Sequence, residues 1–334
     1  MLLAALLCLG LISCDGKKRY TKESYGYFDT VTVIIGYEKS EDEFEERCEE
    51  ILALLDEYHK LYDIYNKYDG LENIYTINER SGAASLDARI IDILDYSKKA
   101  HGLSLGKVNV AMGSVLEIWH DYREKGVALP DKAELPDKEI LLSAAEHTDI
   151  DSVVIDREGS SVTVSDIGTK LDVGAVAKGY AVERIAEMLE AEGVTGYTLN
   201  VGGNVRTIGA KPDGEKWCVG IEDPAGGGEC VAYLYLSGES LVTSGAYQRY
   251  YEVDGKRYHH IIDPDTLYPA SGYLSVSVVS KSSADADVLS TALFCADLEK
   301  GREILENYPD AEAMWVRSDG ERIYSDGFER YMEK

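Results

Sequence analysis

Apolar and polar positions follow a helical rhythm in the first half of the chain and a strand-and-turn rhythm in the second. The stretch TVTVIIGY (30–37) alternates and predicts a strand. Ser40 and Glu43 stand in capping-box spacing before a long apolar series at Phe44, Cys48, Ile51, Leu55, Tyr58, Tyr62 and Tyr65. Steps of three and four place that series on one buried face of a long helix. Further helices are predicted over 86–100, 114–124 and 138–146, with the two-proline segment 127–136 as a surface loop. From Ser152 onward the pattern predicts a hairpin of 152–156 and 161–166, then a strand, glycine turn and helix over 171–192. Strands follow at 197–201, 217–222, 230–237 and 248–253, and Asp254-Gly255 turns the last of these into 257–262. A strand over 273–280, a helix over 284–296 and a final hairpin AMWVR-SDG-ERIY complete the pattern. Without regular βαβ alternation, the expected class is α+β: mixed or antiparallel sheets packed with helices in a single large domain.

Two features of composition change this picture. The chain carries 61 acidic and 34 basic residues, a formal net charge of −27. Such a surface repels nucleic acid and anionic lipid, and an anionic nucleotide would need cations beside it. The opening MLLAALLCLGLISC is uncharged and too short to span a bilayer, which takes about 20 residues. It fits a signal h-region ending in a lipobox-like Leu11-Ile12-Ser13-Cys14, although Leu2 stands where a basic residue is usual. The expectation is a signal peptide over 1–13, a lipidated Cys14 with a polar tether over 14–26, and a domain over 27–334. Such a protein is anchored by lipid at the extracytoplasmic face of the cell membrane. Cys48, Cys218, Cys230 and Cys295 remain, with no CxxC pair to suggest zinc. Cys218 and Cys230, on successive strands, leave open a disulfide or buried thiols.

Four segments hold polar residues that a core does not require. DVGAVAKGY (172–180) runs through a glycine turn into a helix, where backbone N–H groups and Lys178 favour an anion. It is not a Walker loop, since Lys178 precedes Gly179. Gly202-Gly203-Asn204 ends a strand and admits close backbone approach. Thr243-Ser244-Gly245 and Arg249 precede His259-His260, of which only one faces a given side of a strand. In DADVLST (285–291), Asp287 and Thr291 share a helix face and offer hard oxygens suited to Mg²⁺. Each signal alone has a plain structural explanation, such as capping, a bulge or packing.

Taken in order, YFDTVTVI, LDVGAVAKGYAVERI, LNVGGNVRTIG, VTSGAYQRYYEVDGKRYHHIIDPDTLYPASG and DADVLSTALF resemble the FAD:protein FMN transferases, the ApbE family. The likeness covers residues 27–297 and implies an ApbE-like, T-fold-related catalytic domain. It implies Asp287, Thr291 and the Ala175 carbonyl as Mg²⁺ ligands and His260 as the catalytic residue. It further implies that Thr30, Lys178, Gly202, Gly203, Thr243, Ser244, Gly245, Arg249, His260 and Ile262 contact FAD. The implied reaction moves FMN from FAD to an acceptor threonine or serine hydroxyl and releases AMP, with Mg²⁺ offsetting the pyrophosphate charge. The implied acceptors are subunits of membrane redox complexes, of the sodium-pumping NADH:quinone reductase and Rnf types. Leu267 stands where the family usually has glycine and Asn204 where aspartate is common; both look compatible with the backbone. FAD pyrophosphatase activity and a non-catalytic flavin- or solute-binding lipoprotein are the alternatives; the second would need two similar lobes, and no duplication is visible.

Overall fold

The computed structural model describes residues 16–247 and 249–333. In chain order, β1 (Lys18–Tyr25), β2 (Val31–Glu38), α1 (Glu41–Tyr62) and α2 (Ile74–Arg80) lead into β3 (Gly82–Ala83), α3 (Ala88–Leu103), α4 (Gly113–Ala128) and α5 (Lys138–Ala145). Then come β4 (Val153–Asp156), β5 (Ser161–Val164), α6 (Ala177–Ala191), β6 (Tyr197–Val201), β7 (Asn204–Ile208), β8 (Trp217–Glu222) and β9 (Cys230–Leu236). The rest is β10 (Ser240–Gly245), β11 (Tyr250–Val253), β12 (Lys256–His259), β13 (Tyr273–Ser280), α7 (Ser283–Phe294), α8 (Leu298–Glu306), β14 (Glu312–Arg317) and β15 (Arg322–Tyr324).

Eight strands form one antiparallel sheet in the order β1-β2-β6-β7-β10-β13-β14-β15. Burial on both faces explains why β13 reads as a nearly continuous apolar and serine run rather than an alternating one. On one face Ile34, Leu199, Val242, Val276 and Val278 pack under α1, α6 and α7. On the other, Leu241, Val279, Met314 and Val316 are covered by the β8–β9 ribbon and Phe328. A third core, built on Met112, Val115, Trp119, Leu141, Tyr251 and Ile262, joins α4 and α5 to the β11–β12 hairpin. The α+β architecture expected from the pattern is the one observed.

Several local expectations need correction. Residues 18–25, read as part of a polar tether, pair with β2 from Lys18↔Glu38 to Tyr25↔Val31 as the edge strand of the main sheet. Charged side chains at an edge protect its open hydrogen-bonding side, which is why the segment looks like a linker. Segment 171–176 is irregular rather than a strand, because the Asn78 side chain takes both backbone groups of Leu171, at 2.7 and 2.9 Å. Cys218 pairs with Tyr235, and Cys230 with Glu222. That register sets the two cysteines apart along the ribbon and leaves Cys218 exposed and Cys230 half-buried, as free thiols. The signal segment and Cys14 lie outside the described residues.

Candidate active site

The centre of the site is the crossing of α6 and α7. Helix N-termini leave backbone N–H groups without partners, and here each helix caps the other. The Gly179 N–H donates to Asp287 Oδ2 at 2.7 Å, and the Ser283 N–H donates to the Glu183 carboxylate. Burial pushes both carboxyls above their usual range, partly countered by Lys178 at Asp287 and by Arg206 at Glu183. Asp287 is only 5% exposed. The crossing is tight enough to demand glycine: a Cβ on residue 179 would sit 2.4 Å from Asp287 Cβ and 2.5 Å from the Ser283 carbonyl oxygen. Asn204, wholly buried, accepts from the Ser283 hydroxyl at 2.6 Å while its own Nδ2 has no partner among the described residues.

Strand β10 contributes the adjoining wall. Ser244 Oγ lies 2.9 Å from Ser290 Oγ and 3.4 Å from Thr291 Oγ1, so it faces α7. Thr243 points to the opposite face, 2.8 Å from Ser277 Oγ. Alternation along the strand therefore keeps the Thr243 side chain out of the Asp287–Thr291 cluster. At the near end of the sheet, Gly202 adopts φ 59° with its backbone against Thr30, where an added Cβ would meet Oγ1 at 2.4 Å. Gly203 follows in the exposed turn. Arg249 reaches this edge and donates to the Asp29 carbonyl at 3.2 Å.

The two neighbouring histidines separate where β12 ends at His259. His259 is buried, its Nε2 held at 2.9 Å by the Ala270 carbonyl and its ring edge-on to Phe294. His260 is half-buried, with Nδ1 3.3 Å from the Arg249 carbonyl. That acceptor requires Nδ1 to carry the hydrogen, leaving the Nε2 lone pair free. Burial first, then the positive charges of Arg249, Arg123 and Lys178, push its pKa down to about 3. Ile262 belongs to the third core at 6% exposure, so its side chain is committed to packing. Leu267 takes φ 62°, the left-handed region that glycine favours, so the departure there is strained rather than neutral.

Sequence reading missed α4 entirely as a contributor. Trp119 Nε1 donates to the Leu267 carbonyl at 2.8 Å and locks this helix against the loop that follows His260. One turn further on, Arg123 is among the cations acting on His260. Its signal in the sequence was the buried-type Trp119 at i−4, which fixes which face Arg123 shares. Asp172, whose Oδ1 accepts from the Gly174 N–H at 2.8 Å, lies within the field of Lys178 and Arg123, and burial raises its pKa.

Among the described residues, no group of three or more His, Cys, Asp or Glu side chains could hold a metal. The donors there of the kind a hard divalent cation takes are mixed: the buried Asp287 carboxylate and, one turn on along α7, the Thr291 hydroxyl. Asp287 uses Oδ2 on Gly179, and its charge has no ion-pair partner among the described residues. A desolvated carboxylate of that kind suits Mg²⁺ coordination.

Residues 28–315 match the ApbE family. A FAD:protein FMN transferase of Treponema pallidum (strain Nichols) is 31% identical over 338 residues, covering 95% of this chain and 90% of that protein. One from Klebsiella pneumoniae (strain 342) is 31% identical over 277 residues, covering 80% and 84%. The crystal structure of the ApbE protein from Thermotoga maritima superposes with a TM-score of 0.83 at 28% identity, covering 95% of this chain and all of that one. Fold and sequence agree, and the chain belongs to the ApbE family of flavin transferases.

Proposed function

We propose that this protein transfers the FMN moiety of FAD to a threonine or serine hydroxyl of acceptor proteins, with release of AMP. The observation that carries the reading is one neutral histidine, His260, set among Arg249, Arg123 and Lys178 in a chain of net charge −27. Such a local reversal of charge suits a pyrophosphate. The acceptor oxygen attacks the phosphorus bearing riboflavin, and the bond from that phosphorus to the bridging oxygen breaks, so AMP leaves with that oxygen. His260 Nε2 takes the hydroxyl proton. Bound phosphates offset the three cations, which moves His260 back toward the basicity a general base needs. Asp287, Thr291 and the Ala175 carbonyl would hold Mg²⁺, which supplies charge stabilisation on the phosphates.

The acceptors we propose are subunits of membrane redox complexes, reached from a lipid anchor at Cys14 on the extracytoplasmic face. No described helix is long and apolar enough to cross a membrane. Protein lacking residues 1–14, incubated with FAD, Mg²⁺ and an acceptor domain, should add one FMN to an acceptor hydroxyl for each AMP released. AMP without labelled acceptor would identify a pyrophosphatase instead, and neither product would end the enzymatic reading.

A further inference from the structure

We infer that Arg123 is a further substrate-holding residue: it grips the phosphates of the nucleotide donor from α4 and is held in place by neutral His120. The inference rests on the flavin-transfer reading for the identity of the donor, while the geometry of the grip is independent of it. Arg123 Nη2 donates to His120 Nδ1 at 2.8 Å, and His120 Nε2 lies 3.0 Å from Glu124 Oε1. A guanidinium can only donate. His120 Nδ1 must therefore be the bare nitrogen, and Nε2 carries the hydrogen that Glu124 accepts. The Tyr65 hydroxyl approaches the same Nδ1 at 3.4 Å. The chain Glu124–His120–Arg123 thus fixes both the imidazole tautomer and the direction of the guanidinium.

The backbone beneath Arg123 is fixed on both sides. Trp119, one turn before it, is bonded to the Leu267 carbonyl. Gly126, just after it, lies so close to the Tyr251 ring that an added Cβ would stand 2.5 Å from Cδ2. Both contacts reach the hairpin and loop that carry His260.

What the fold alone does not explain is the charge. Half-buried, Arg123 forms no ion pair among the described residues, yet it shares its surroundings with Arg249. Burial and Arg249 lower its pKa, while Tyr65, Glu124 and Asp172 act in the other direction. Gathering like charges beside a histidine without a paired carboxylate costs stability unless an anion joins them. The donor's phosphates are that anion, and a planar guanidinium suits them through paired N–H donors.

The test compares Arg123→Met, Arg123→Lys, His120→Ala and the double variant Arg123→Met/His120→Ala. Binding is read by flavin fluorescence without added metal, using FAD and, as the phosphate-free control, riboflavin. Losing a charge-assisted contact should weaken FAD binding by roughly 10–100-fold in Arg123→Met and less in Arg123→Lys. Riboflavin binding should stay unchanged. His120→Ala should weaken FAD binding partially, and the double variant should match Arg123→Met, because His120 acts through Arg123. FAD binding within twofold of wild type, equal losses for riboflavin, or additive effects in the double variant would overturn the inference. Should Arg123→Met fail to fold, Arg123→Lys carries the same comparison. If wild type binds FAD in this way but neither releases AMP nor labels an acceptor, the transfer reading fails while the grip stands.

Discussion

Replacing Gly179 with alanine sets local preference against tertiary packing. Residue 179 lies in the first turn of α6, and glycine in a helix is worse than alanine by up to about 1 kcal/mol. Judged as an isolated helix, the variant should therefore be more stable. In the folded protein the new methyl would stand 2.4 Å from Asp287 Cβ, 2.5 Å from the Ser283 carbonyl oxygen and 3.1 Å from Asn204 Nδ2. The two closest are the stem of a buried side chain and a backbone oxygen, so neither can swing away. Restoring an ordinary contact near 3.4 Å requires α6 and α7 to part by close to 1 Å, which stretches the Gly179–Asp287 and Ser283–Glu183 caps together. Overpacking of this kind costs about 1–3 kcal/mol, and a weakened cap about 1 kcal/mol more. The net expectation is a loss of about 1–3 kcal/mol after the helix preference is subtracted. Urea unfolding followed by circular dichroism measures it, with isothermal titration of Mg²⁺ reporting on Asp287. A variant as stable as wild type, or more so, would refute the close crossing on which the site's geometry depends.

Other expectations follow from the same structure. Asp287→Asn keeps an oxygen for the Gly179 N–H and should retain the fold while losing Mg²⁺ binding. Asp287→Ala removes the cap as well and should also lose about 1 kcal/mol in urea unfolding. Exchanging His260 for alanine should lower FMN transfer by roughly 10²–10⁴-fold at unchanged stability near pH 7. His259→Ala, which vacates a buried site bonded to Ala270, should mainly lower the melting temperature. Because the fold holds His260 neutral well below its ordinary pKa of 6.5, the unfolded chain binds the extra proton as pH falls below 6.5. Wild type should then lose roughly 1–2 kcal/mol relative to His260→Gln between pH 6.5 and 4.5, and parallel urea curves check it. Cys218 and Cys230 should react with a thiol reagent in the native protein. Cys48, with its pKa pushed up to about 12 by burial, and Cys295 should react only after unfolding.

The chain by itself determined the elements whose burial is one-sided and periodic. The Ser40 cap and the series from Phe44 to Tyr62 predict α1 because every third or fourth residue meets the same wall. Asp254-Gly255 predicts the β11–β12 turn because the left-handed conformation is local. The order of motifs also identified His260, Lys178, Asp287 and Thr291 as residues with chemistry to explain. Tertiary structure decided the rest, for reasons that local pattern does not encode. An edge strand needs charges rather than apolar alternation, so 18–25 looks like a tether until β2 lies beside it. Which face of β10 meets α7 depends on the register of a sheet assembled from strands far apart in sequence, and that register separates Ser244 from Thr243. In the sequence Asp287 is a carboxylate on one helix face; only the crossing with a helix whose contacting Gly179 lies 108 residues away buries it and makes it a cap. Arg123 acts on His260 because Trp119 and Gly126 seat α4 on the loop and hairpin around it. A charge acts across space, and its distance from the reacting atoms is set by packing.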